Sequence, residues 1–96
     1  MGNYKEGYAN VSEAVQLLEN KVNEMMVNKV DSELSKNARF MDRMHLLCAC
    51  YLVMVESLIQ IGKDVRKLEE TRNHALRLSH RFLGESHYLT VKLGVL

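Results

Sequence analysis

Four side chains combine ligand or nucleophile chemistry with a spacing that can bring them together: His45, Cys48, Cys50 and His74. Three residues, close to one helical turn, separate His45 from Cys48, so an imidazole and a thiol there can share a metal with Cys50 or His74 as a third ligand. The flanking residues argue for packing instead. The run His45-Leu46-Leu47-Cys48-Ala49-Cys50-Tyr51 contains no CxxC or HxxxH pair, and a cysteine among leucines behaves as a small hydrophobe. The same surroundings disfavour a Cys–His nucleophile, because burial raises a thiol's pKa and hides it from substrate. Cys48 and Cys50 stand two positions apart, where helical side chains diverge, so they cannot pair with each other. Unpaired thiols place the chain in a reducing, intracellular setting, read as cytoplasmic. No glycine-rich phosphate loop follows a strand. The expectation is a non-enzymatic protein with no catalytic residues, no cofactor and no metal.

The elements that carry these residues are helices. Ninety-six residues suggest one domain with one small core. A hydrophobic fraction of 47%, a charged fraction of 26% and a net charge of +1 exclude a disordered chain and a dedicated polyanion binder. Proline is absent and the five glycines sit near the ends and at two interior points, which suits a few long helices rather than a many-turned β fold. The fold class is therefore all-α.

The first helix is expected over about 10–30, where Val11, Ala14, Val15, Leu18, Val22, Met25 and Met26 recur at helical spacing. Asn10 and Glu13 have capping-box spacing at its start. Leu17 and Val27 fall off the stripe and suggest a second contact surface. Residues 28–37 read as a polar connection with Asp31, Ser32, Ser35 and Asn37 as candidate caps. The second helix spans about 36–61, and its centre, Leu46 to Val55, is apolar on every side. Two flanking helices cover about half to two-thirds of such a helix, so the remainder should meet another repeat or another chain. Gly62 supplies a left-handed stop and Asp64 an N-cap, so the third helix, about 65–83, should lie antiparallel to the second. Val65, Leu68, Ala75, Leu76, Leu78, Phe82 and Leu83 form its apolar side. Gly84 ends it, and 87–96 reads as the start of a fourth, apolar helix.

Residues 1–35 hold three Lys and six Asp/Glu (−3), while residues 63–96 hold seven Lys/Arg and four Asp/Glu (+3). The Arg66, Arg77 and Arg81 stripe is interleaved with Glu69 and Glu70, which favours a solvated face over nucleic-acid binding. Met44 to Val55, bounded by Asp42, Arg43 and Glu56, falls short of the ~20 apolar residues of a membrane span. Met1-Gly2-Asn3 opens like an acylation signal, but Glu6 stands where serine or threonine is expected. No secretory leader follows. Neither a membrane nor nucleic acid is expected as a partner. The methionines read as adaptable core packing.

The stretch Ile61-Gly62-Lys63 through Ala75-Leu76-Arg77-Leu78 to Phe82-Leu83-Gly84-Glu85-Ser86-His87-Tyr88 resembles a tetratricopeptide repeat of the long variety found in kinesin light chains and related scaffolds. Leu83-Gly84-Glu85-Ser86-His87 matches the family's leucine-glycine, two residues, histidine signature, with Tyr88 in place of proline. Tyr51, Met54, Val55 and Leu58 fall at the spacing of first-helix positions, and Glu13 to Glu19 looks like the second helix of a preceding repeat. Val55 and Leu68 depart from the small residues usual at the helix crossing. The resemblance implies three antiparallel helices, ordered as second, first and second helices of successive repeats, followed by the start of another first helix.

It also implies a protein–protein interaction or scaffold module, cytoskeletal by analogy, whose ligands lie along the first helices. Asn37, Arg39, Arg43 and Glu56 are then candidate contacts, and Val91 and Leu93 on the apolar tail are candidates for an end-to-end contact. The alternative is a plain three-helix bundle that homodimerises through the apolar helix 36–61. In both, the partner is another protein, further repeats or a second copy.

Overall fold

The computed structural model describes residues 4–62 and 64–96. Where periodicity implied three helices and the start of a fourth, five form: α1 (Tyr4–Met26), α2 (Asp31–Ser35), α3 (Ala38–Ile61), α4 (Val65–Phe82) and α5 (Tyr88–Val95), with no strand among the described residues. All-α architecture is thus observed.

The first helix is longer at its start and shorter at its end than its apolar stripe implies. It runs through Asn10, which is exposed within the helix rather than capping it, and Tyr8 packs against the core cluster upstream of the expected boundary. Asn28 adopts a left-handed conformation (φ 58°) just beyond Met26, and an Asn tolerates that region better than most residues, so the helix stops there. The polar connection contains a short helix of its own. Its one apolar residue, Leu34, is buried, and that anchor is what tertiary packing adds to an otherwise weak helical segment.

The turn between α3 and α4 follows the expected chemistry. Gly62 has φ 69°, and its N–H donates to Leu58 O at 2.9 Å. The Asp64 side chain accepts from Lys67 N–H at 3.0 Å and caps α4. Phe40, near the start of α3, meets Phe82, at the end of α4, edge to face at 5.0 Å, so the two helices run antiparallel. Arg43 of α3 reaches Met25 near the end of α1, so α1 is antiparallel to α3 as well. Val65 departs from expectation: it is exposed in the first turn of α4, whereas Ala75, Ser79 and Phe82 face inward.

Packing converges on α3. Phe40, Met44, Leu47, Cys48, Tyr51 and Val55 are almost wholly shielded and form the axis of the core, with Val15 and Val22 from α1, Ala75 from α4, and Leu89 and Leu93 from α5 around it. α1, α4 and α5 pack on different parts of its circumference. Twenty-four helical residues rise about 36 Å, which sets the 42 Å long axis of the molecule. By length and composition α3 also has the apolarity of a membrane-crossing helix, with half of that segment buried under the other helices. Leu52, at the middle of the apolar run, is only partly covered, and the core positions around it are Tyr51, Met54 and Val55.

Two polar ties close the ends. Arg81 of α4 donates two hydrogen bonds to the Asp31 carboxylate of α2, at 2.7 and 2.6 Å. The Ser79 and Thr90 hydroxyls hydrogen-bond in the buried α4–α5 contact, and Thr90 also donates to Gly84 O at 2.8 Å. Each hydroxyl is thereby satisfied where water is excluded.

Candidate functional site

The apolar surplus of α3 is where the fold leaves chemistry exposed. α1, α4 and α5 cover three sides, and the uncovered arc carries Arg39, Asp42, Leu46, Val53, Glu56 and Gln60 as exposed residues, with Ala49 and Cys50 partly covered between them. At spacings of three, four and seven these residues occupy one side of the helix. Leu46 is 53% and Val53 50% exposed, so the middle of the arc is apolar and its ends are charged. Val53, Glu56, Ser57 and Gln60 border a depression of about 290 Å³ at the C-terminal half.

The residues singled out from sequence divide among several places. Arg39 and Glu56 are exposed on α3, and the 17 positions between them correspond to about 26 Å along the helix, so they mark the two ends of one surface. Asn37 is a cap: its side chain accepts from Phe40 N–H at 3.1 Å. Arg43 is half-buried against α1, with Nη1 3.3 Å from Met25 Sδ. Val91 is 52% exposed. Leu93 is corrected: it has no exposed surface and belongs to the core, because its side of α5 faces α4 and α3.

The four metal or nucleophile candidates do not converge. Cys48 is fully buried, and burial pushes its thiol pKa up to about 12, which removes the thiolate at neutral pH. Burial also raises the Cys50 thiol. Both cysteines are free. His45 packs edge-on to His87 at 5.2 Å, and its Nε2 lies 3.5 Å from the Tyr88 hydroxyl. The His87 Nδ1 accepts from Leu89 N–H at 3.2 Å and caps α5, a tautomer that places the ring proton on Nε2. His74 packs edge-on to Tyr51 at 5.5 Å.

A second grouping could not be read from local pattern. Between α1 and α4, above a floor of Tyr51 and Met54, lies a groove of about 470 Å³ bordered by Tyr8, Glu19, Lys67 and His74. The Tyr51 hydroxyl donates to Glu19 Oε1, and His74 Nε2 lies 4.0 Å from the same carboxylate oxygen. Lys67 sits over the Tyr8 ring at 5.3 Å, and its interaction with the Tyr8 hydroxyl raises the ammonium pKa. These groups satisfy one another across helices whose direct packing is slight. No local pattern singles them out, because Glu19 shares its side of α1 with Ser12, Gln16 and Asn20, which line the same groove.

Comparison of the chain with models of protein families, with curated proteins and with solved structures finds no match.

Proposed function

We propose that this protein is a non-enzymatic helical interaction module of the tetratricopeptide type that holds a segment of another intracellular protein against the open face of α3. The carrying observation is the row of half-exposed Leu46 and Val53 with the partly covered Ala49 and Cys50 between them, in mid-helix and bounded by Arg39, Asp42 and Glu56. An apolar strip with a charged rim suits a partner segment that buries aliphatic side chains along the centre and pairs its charges at the ends. In this reading α3 and α4 are the first and second helices of one repeat, α1 is the second helix of the repeat before it, and α5 begins the next. The antiparallel α3–α4 pair turning at Gly62, and the glycine stop at Gly84 before α5, support it. The intracellular setting rests on two free cysteines, one of them deep in the core.

A photo-crosslinking residue placed at Val53 tests the proposal, with Glu69 on the exposed side of α4 as the control position. A discrete adduct with another protein at Val53, absent at Glu69 and abolished by Leu46→Asp, is the expected result. Identical adduct patterns at both positions, or none at Val53, would remove the assignment. An adduct joining two copies at Val53 would favour the bundle that homodimerises through α3.

A further inference from the structure

The open face of α3 repeats every seven residues. Leu46, Ala49, Cys50 and Val53 stand at i, i+3, i+4 and i+7, and Val53, Glu56, Ser57 and Gln60 repeat that quartet one heptad further along. Four residues so placed bound a hole on a helix surface, and such a hole takes one side chain of a second helix packed alongside at a shallow angle. The second quartet borders the depression of about 290 Å³. The first has the small residues Ala49 and Cys50 on its two sides, so a facing helix can come close there. Arg39 and Asp42 continue the face one heptad before Leu46, which makes it three heptads long, about 32 Å.

The two holes differ in chemistry. The first offers apolar surface and a thiol. The second has Val53 as one apolar wall and three oxygen acceptors around it: the Glu56 carboxylate, the Ser57 hydroxyl and the Gln60 amide. Ser57 is 8% exposed, and neither its hydroxyl nor the Glu56 carboxylate has a partner among the described residues. When a neighbour covers this hole, those acceptors need a donor that arrives with it. A lysine or arginine supplies one, with its stem along Val53 and its head at Glu56. The chain's own charges do not. Arg39 and Asp42, opposite in sign, lie 17 and 14 positions from Glu56, about 26 and 21 Å along the helix and beyond the screening length of ~8 Å in physiological salt. Arg43 is turned toward Met25 of α1, and Arg66 is paired with Glu70. Lys92 stands over the Tyr88 ring, which packs on His45, and makes no ion pair with Glu56.

A second copy matches this pattern poorly. Laid antiparallel with Ala49 and Cys50 at the crossing, it sets Leu46 against Val53, Arg39 against Gln60 and Asp42 against Ser57, so one base and one acid reach the hole together and no net charge is matched. Laid parallel, it sets Glu56 against Glu56.

We propose that the partner segment is a single amphipathic helix seated in these two holes, with an aliphatic side chain over Ala49 and Cys50 and a lysine or arginine one heptad away in the hole beside Glu56. The inference rests on the open face of α3 being the binding face, as proposed above, and adds the conformation of the partner and the residue that selects it.

A phage-displayed library of three-heptad helices with random residues along one seam tests it, selected on the unmodified chain and counter-selected on Leu46→Asp. Enriched helices should carry an aliphatic residue and, seven positions from it, a lysine or arginine. As free peptides followed by fluorescence anisotropy, they should bind Glu56→Gln about two- to fivefold more weakly than the unmodified chain, the range of one rim ion pair, and Glu56→Lys at least about tenfold more weakly. Raising salt from about 50 to 500 mM, which shortens the screening length from about 14 to 4 Å, should close most of the gap between Glu56→Gln and the unmodified chain. Selection repeated on Glu56→Lys should replace the base with an acid. Glu56 and Leu46 are exposed, and circular dichroism verifies that helicity is kept in each variant. Enriched helices that need Leu46 but lack the base, or whose affinity Glu56→Gln leaves unchanged, would overturn this inference and leave the function proposed above standing. A selection that yields nothing dependent on Leu46 would remove both. Self-association of the unmodified chain that Leu46→Asp abolishes, read by sedimentation velocity, would hand the face to a second copy and likewise remove both.

Discussion

Truncation of Leu93 measures whether α5 belongs to the core. Its side chain has no exposed surface, and it packs in the cluster shared by α3, α4 and α5, two helical positions from the exposed Val91 and Val95. Leu93→Ala removes the apolar contacts of a full isobutyl group and leaves a cavity, and truncations of this kind cost about 2–5 kcal/mol. A 96-residue chain has a total stability of about 5–14 kcal/mol, so this single change consumes a large share of it. At about 4–8 °C per kcal/mol for a domain of this size, a loss near 3 kcal/mol lowers Tm by about 12–24 °C. Val91→Ala, at a site already half in water, should stay within about 0.5 kcal/mol. Urea and thermal unfolding followed by far-ultraviolet circular dichroism give both numbers on the same instrument. Equal effects at the two positions, or a Leu93→Ala loss below about 0.5 kcal/mol, would refute the packing of α5 described here.

Gly62→Val should destabilise by about 1 kcal/mol or more in urea unfolding, because φ of 69° is strained for a β-branched residue although an added Cβ would make only an ordinary contact, 3.8 Å from Ile59 O. The Arg81 guanidinium holds the Asp31 carboxyl below its ordinary range, chiefly by hydrogen bonding, against an opposing desolvation. The contribution of that pair is therefore complete above about pH 4, the ordinary carboxyl value, and is lost as pH falls through the lower folded-state value; the stability gap between the unmodified chain and Asp31→Asn, followed by chemical denaturation from pH 7 to about pH 2, should shrink in that direction. The Cys48 thiol stays protonated in the fold to about pH 12, whereas the unfolded thiol ionises at about 8.5, so stability should fall as pH rises above the unfolded value, with a slope of up to about 1.4 kcal/mol per pH unit from this group, and Cys48→Ala should reduce the slope to what the raised Cys50 thiol still contributes. Iodoacetamide should alkylate Cys50 before Cys48 under native conditions, read by peptide mass spectrometry, since Cys50 is only partly covered.

Residue order alone determined the features that depend on neighbours within a turn or two. The all-α class follows from periodicity and the absence of proline; the Gly62 stop and the Asp64 cap follow from local chemistry that acts over three or four residues and stand where that chemistry put them, whereas Asn37 is one of four candidate caps and the packed structure selects it. The apolar girth of α3 likewise announced that other elements must surround it. Which part of that girth stays bare was settled only when α1, α4 and α5 took their places, because a helix apolar on every side carries no mark of the side that will be left over. Leu93 and Val91 show the same limit: both are apolar in one short segment, and only the docking of α5 sends one inward and the other to the surface. The Arg81–Asp31 tie and the Tyr51–Glu19–His74 grouping join residues 50, 32 and 23 positions apart, distances at which sequence spacing holds no geometric information until the helices are packed. α1 ran past its stripe at one end because the start of a helix is set by what Tyr8 can pack against as well as by the nearest candidate cap, and the first of these is a tertiary fact.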